Sequence, residues 1–150
     1  MHKFVTLTID VMFVNGETFL VNLSQKIQLF TVEFFPSRTY VHLSSHFTKV
    51  VKLYERGGFS IRNIFMDQEF DKVMENIPEI EVIIASAQEY VGEIEREIRF
   101  IKDRCRGTRA IIPFKQLPKF FVIHLVYFCV MWINSFPVTQ GISKKYPHVK

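Results

Sequence analysis

Apolar residues recur at every second position from Phe4 to Val14, with Val5, Leu7, Ile9, Val11 and Phe13 on one face, which predicts a strand. Asn15-Gly16 comes next, and that pair suits a type I′ hairpin turn, whose two central residues both need positive φ. Thr18–Leu23 reads as the return strand and Ile27–Phe35 as a third. Pro36-Ser37 stops that run and offers Ser37 as a helix N-cap. Tyr40, Leu43, Phe47, Val50 and Tyr54 then repeat at helical spacing until Gly57-Gly58. Ile61–Met66 and Glu81–Ala85 are short apolar runs of strand length. Beyond them Val91, Ile94, Ile98, Ile101, Cys105 and Ile112 form one stripe of a helical wheel. Glu95, Arg99, Lys102, Arg106 and Arg109 form a second stripe beside it, and Pro113 closes the helix. Leu117-Pro118 opens a last apolar helix that runs through Phe136. Three antiparallel strands, a helix, two further strands and two long helices predict a mixed α/β domain.

Composition sharpens this picture. With 150 residues, 48% of them hydrophobic and 23% charged, the chain has the makings of one globular domain and not of a disordered or low-complexity segment. Cys105 and Cys129 are too few for a disulfide scaffold and read as core residues, which favours a reducing compartment. No secretory signal is visible at Met1-His2-Lys3. The most apolar run, Phe120 to Trp132, is interrupted by His124 and is too short to cross a bilayer, so a buried helix is expected and no membrane. Trp132 and the phenylalanines are expected in the core, His124 in the core or at an interface, and His42 and His46 on one turn of a surface helix.

Charge is unevenly spread. Residues 1–95 carry eight Lys/Arg against thirteen Asp/Glu, a balance of −5, whereas residues 96–150 carry eleven against two, a balance of +9. An acidic centre beside a basic arm suits a protein that holds cations next to a polyanion. Three carboxylates stand out. Asp10 is the only polar residue between Ile9 and Val14, Asp67 closes a strand, and Glu95 heads the cationic stripe. Each alone is ordinary: a strand-edge acid, a loop acid and a surface glutamate. Converging at one end of a sheet, they would repel one another unless divalent cations were present, which suits Mg²⁺ or Mn²⁺. Two such ions held by hard oxygens can drive in-line displacement at a phosphodiester, with the basic stripe gripping the phosphate backbone.

These phrases together resemble the catalytic core of retroelement integrases, most of all the copia-type LTR retrotransposons. The likeness lies in Ile9-Asp10-Val11 ahead of Asn15-Gly16-Glu17-Thr18-Phe19-Leu20-Val21, then in Ile64-Phe65-Met66-Asp67-Gln68-Glu69-Phe70. It continues in Tyr90-Val91-Gly92-Glu93-Ile94-Glu95-Arg96 and in Trp132-Ile133-Asn134-Ser135-Phe136-Pro137, and spans about residues 5–146. The sequence departs from the family where Gln68-Glu69 and Val91-Gly92 replace its Asn-Gly pairs, and in a shorter spacer between Asp67 and Glu95.

The resemblance implies a ribonuclease H-like fold with a mixed five-stranded sheet, a single core domain over residues 1–150, and neither the zinc-binding nor the C-terminal DNA-binding domain. It further implies DNA integration (3′-end processing and strand transfer) by a two-metal site of Asp10, Asp67 and Glu95. Asp10 would serve both ions, Asp67 one and Glu95 the other. Arg99, Lys102, Arg106 and Arg109 would meet DNA phosphates, and Gln88 and Tyr90 the DNA end. A homodimer or higher oligomer and residence in the nucleus are implied as well. The alternative is a catalytically inactive, nucleic-acid-binding relic or fragment of a retrotransposon polyprotein. A small membrane protein anchored by residues 120–136 is a third, distant reading.

Overall fold

The computed structural model describes residues 4–25, 27–37, 39–66, 81–84 and 88–136, of which Tyr40, residues 81–84 and residues 88–91 are described in backbone only. Strands β1 (Phe4–Val14), β2 (Glu17–Ser24), β3 (Phe30–Phe34), β4 (Ser60–Met66) and β5 (Glu81–Ile84) join in one mixed sheet ordered β3-β2-β1-β4-β5. Helix α1 (Tyr40–Arg56) links β3 to β4, and α2 (Gln88–Ala110) and α3 (Lys119–Ser135) follow β5. The expected mixed α/β architecture is therefore present.

The β1–β2 hairpin turns at Asn15 and Gly16, with φ of 51° and 80°, and pairs Val14 with Glu17. Those positive angles are what a type I′ turn demands. On its other side β1 runs parallel to β4, from Phe4 opposite Ser60 to Thr8 opposite Phe65. Being central and covered on both faces, β1 buries both sets of alternate residues. Val5, Leu7 and Ile9 pack with Leu20, Ile64 and Met66 against Leu43, Phe47, Val50 and Tyr54 of α1. Met12, with Phe19, Val21, Leu23 and Phe30, packs against Ile94, Ile98 and Ile101 of α2 and Val126 and Val130 of α3. Each fully buried aliphatic or aromatic side chain in these two layers contributes about 1.5–3 kcal/mol. Phe13, expected on the inward face, is half exposed at the end of the strand.

Helix α1 ends in a Schellman motif. Phe59 N donates to Tyr54 O and Gly58 N to Glu55 O, with Gly58 at φ +80°. Its start differs from expectation, since Thr39 and not Ser37 precedes the first helical residue. The Ser37 and Thr39 hydroxyls both hydrogen-bond to His42 Nδ1 instead. The third strand begins at Phe30 and not at Ile27 because Gln28 and Leu29 turn back onto Ser24. There Gln28 adopts φ +57° and its amide donates to Ser24 O, while Leu29 N donates to Ser24 Oγ.

The two histidines of α1 part ways. His42 is exposed, but His46 is 3% exposed, so the expected surface turn is corrected to a half-buried one. His46 Nδ1 meets Glu33 Oε2 at 2.7 Å and Nε2 meets Asn22 Nδ2 at 2.8 Å, while Lys49 pairs with the other Glu33 oxygen. These bonds fasten α1 to β2 and β3 through polar groups that apolar periodicity does not reveal.

Cys105 and Cys129 are free and buried at the α2–α3 contact, as expected of core residues. Burial, with Cys129 alongside, pushes the Cys105 thiol up to about 12, so it is an inert apolar group. The outer face of α3 corrects another expectation. Trp132 is 46% exposed, and Phe120, His124, Phe128 and Phe136 lie on the surface with it. The helix touches the sheet along one side only, so the outer aromatic rings pack on one another, edge-to-face for Phe120–His124 and Phe128–Trp132 and stacked for Trp132–Phe136. Among the described residues no helix is long and apolar enough to cross a membrane.

Candidate active site

Asp10 lies where β1 outruns its parallel neighbour. Pairing with β4 ends at Thr8, and Asp10 is opposite Val21 of β2. Strand alternation sets Asp10 on the same face as Met12, the face that α2 covers. A partly exposed carboxylate is acceptable there because it is not sealed in the core, and Val11 N donates to its Oδ1 at 2.7 Å.

Helix α2 lays its apolar stripe on that face. Ile94, Ile98, Ile101 and Cys105 are buried, so their neighbours on the wheel are turned towards the open end of β1. The result is a cleft of about 480 Å³ between strand and helix. Asp10 and Val11 form its β1 wall, while Glu95, Ile98, Arg99, Lys102, Asp103 and Arg106 form the α2 wall. The cleft thus brings the carboxylates of Asp10, Glu95 and Asp103 together with the cations Arg99, Lys102 and Arg106.

Arg106 is held by Asp103, Nη1 to Oδ1 at 2.8 Å, an exposed pair one turn apart. Asp103 is a residue that the charge pattern did not single out. Its place on the cleft follows from lying one turn after Arg99 on the same helix, a signal that was there to read. Arg109, also expected to meet phosphate, has its guanidinium on the carbonyls of Phe114 and Lys115, where it closes the turn after α2. It does not line the cleft. Gln88 and Tyr90 fall in the first turn of α2. Asp67 lies outside the described residues; β4 ends at Met66.

Asp10 and Glu95 supply carboxylate oxygens, the donors that Mg²⁺ and Mn²⁺ prefer, and among the described residues the lining includes no thiol or imidazole that would favour a softer ion. Among the described residues no three acidic, histidine or cysteine side chains gather as a complete metal site. The described donors therefore fit a hard divalent cation in kind: Asp10 and Glu95, with the third carboxylate of the cleft, Asp103, engaged by Arg106.

Neither a family model nor a curated protein matches the chain. Among solved structures, the crystal structure of the catalytic core domain of BIV integrase superposes with a TM-score of 0.67 at 14% sequence identity. The match covers 95% of this chain and 90% of that one. At such identity the likeness concerns the backbone: this chain has the fold of an integrase catalytic core.

Proposed function

We propose that this protein is an integrase-type catalytic core that carries out metal-dependent phosphoryl transfer on DNA, and that it derives from a copia-type retroelement. The observation that carries the reading is the shared cleft, where Asp10 of β1 and Glu95 of α2 stand beside Arg99, Lys102 and Arg106. The integrase-core fold supports it independently. Asp10, Asp67 and Glu95 would hold Mg²⁺ or Mn²⁺, which when bound supplies Lewis-acid activation of a water or DNA 3′-hydroxyl and offsets charge at the phosphate. The chain's own cations do the positioning. Arg99 and Lys102 bind the phosphodiester backbone through charge and so orient it without reading bases. Arg106 joins them from its ion pair with Asp103. Gln88 and Tyr90, at the start of α2, contact the DNA end, and the protein works on retroelement ends and target duplex in the nucleus.

Self-association belongs to the same reading. Phe120, His124, Phe128, Trp132 and Phe136 recur every fourth residue along the outer side of α3, and Lys119 is the only charged residue of that helix. An uncharged aromatic row of that kind favours a homodimer or higher oligomer.

The test is a disintegration reaction on branched DNA with Mn²⁺, comparing the wild type with Glu95→Gln. Strand resolution by the wild type that vanishes in the variant is expected. A folded wild type that binds the DNA and leaves it uncut refutes catalysis. The second reading, a non-catalytic nucleic-acid-binding relic, would then stand, and the Gln68-Glu69 and Val91-Gly92 departures favour it.

A further inference from the structure

The three cations of the cleft are not equally available. Arg106 Nη1 donates to Asp103 Oδ1 at 2.8 Å, while among the described residues neither Arg99 nor Lys102 has an ion-pair partner. Asp103 stands four residues after Arg99 and three before Arg106, so both arginines are within its reach on one side of the helix. The favoured order on a helix sets the acid N-terminal to the base, and Asp103 takes the arginine that satisfies it. Both side chains are well exposed, at 60% and 74%, so the pair sits in water and holds Arg106 by only about a twofold preference. Arg106 is also the cation farthest from the acid end of the cleft. A rise of 1.5 Å per residue sets it about 16 Å beyond Glu95, against about 10 Å for Lys102.

We propose that Asp103 is an internal stand-in for phosphate, which occupies Arg106 until a nucleic-acid backbone displaces it. The inference rests on the DNA-binding reading of the cleft and adds the regulation of that grip. A guanidinium accepts a carboxylate or a phosphate through the same N–H groups, so the exchange swaps one charge-assisted bond for another. A free anion has to compete with a carboxylate tethered on the same helix. A backbone already held at Arg99 and Lys102 presents its next phosphate at high effective concentration and wins that competition. The displaced Asp103 is then an unpaired charge beside the polyanion. Its cost is felt for as long as the strand stays bound, so Asp103 discounts the contact made by Arg106 and eases release.

A double-mutant cycle in DNA binding tests this, read by fluorescence anisotropy of a labelled duplex longer than α2 with wild type, Asp103→Asn, Arg106→Ala and the double variant. Both side chains are exposed, so neither substitution disturbs the core. Asp103→Asn should tighten binding, by about twofold for the release of Arg106 and further for the lost repulsion. In the Arg106→Ala background only the second part should remain, a coupling of about twofold that shrinks as salt rises. An additive cycle makes Asp103 a plain repulsive charge and overturns the exchange, as does an Asp103→Asn protein that binds no tighter than wild type. Binding by the wild type with an additive cycle removes this inference alone. Absence of binding in all four proteins removes the DNA reading and this inference with it.

Discussion

Replacing His46 by glutamine makes the buried polar contact between α1 and the β2–β3 hairpin measurable. Asn22 Nδ2 can only donate, so Nε2 of His46 accepts and the ring proton sits on Nδ1, facing Glu33 Oε2. That is the neutral imidazole. A second proton would point at an amide NH₂, which also donates to Thr31 Oγ1. Burial is the largest influence on the ring and lowers its pKa; Glu33 pulls the other way, Lys49 adds to the lowering, and the net direction is down. With the folded pKa below the unfolded 6.5, the unfolded chain takes up a proton that the folded chain refuses. Stability is therefore full above about pH 7 and falls as pH drops through 6.5. If the folded ring stays neutral down to pH 5.5, the loss between pH 7 and pH 5.5 is about 1.2 kcal/mol, an upper bound. For a chain of this length that is about 4 °C in Tm. Calorimetry of wild type and His46→Gln at the two pH values isolates the effect, because every other titrating group is common to both. Glu33 does not interfere, as its pKa is lowered below 4.5 and its contribution is lost only at more acid pH. There, burial alone would raise it, and the hydrogen bonds from Lys49 and His46 outweigh that. Equal pH dependence in the two proteins would refute the assignment of a neutral, buried ring.

Two further outcomes follow from the helices. Ile101 is fully buried between α2 and the sheet, so Ile101→Ala should cost about 2–5 kcal/mol, measured as a lower urea midpoint with an unchanged slope. Lys102→Ala should weaken DNA binding uniformly across sequences and reduce the salt slope of log K by about 0.9, whereas an unchanged slope places Lys102 off the DNA path.

Much of the scaffold was legible because periodicity reports local geometry directly. The alternation from Phe4 to Val14, the Asn15-Gly16 turn and the helical spacing of Leu43, Phe47, Val50 and Tyr54 each appear where the pattern puts them. The stripe Glu95, Arg99, Lys102 and Arg106 was legible for the same reason: the buried face of α2 leaves its neighbours one direction to point. Periodicity says nothing about which faces meet. That β1 is buried on both sides, that Asp10 and Glu95 share one cleft, and that Arg109 turns back onto its own loop all depend on how helices cross the sheet. His46 looks like a surface residue on a wheel and becomes a tie only when Asn22 of β2 and Glu33 of β3 supply its partners. Conversely, Trp132 and Phe128 look like core and stay outside, because α3 has more apolar faces than the sheet can cover. Sequence by itself determined the elements, their order and the charge that gathers on α2. Tertiary structure alone decided which polar groups were paired, since a hydrogen bond across the fold depends on the relative placement of two elements and leaves no periodic trace in either.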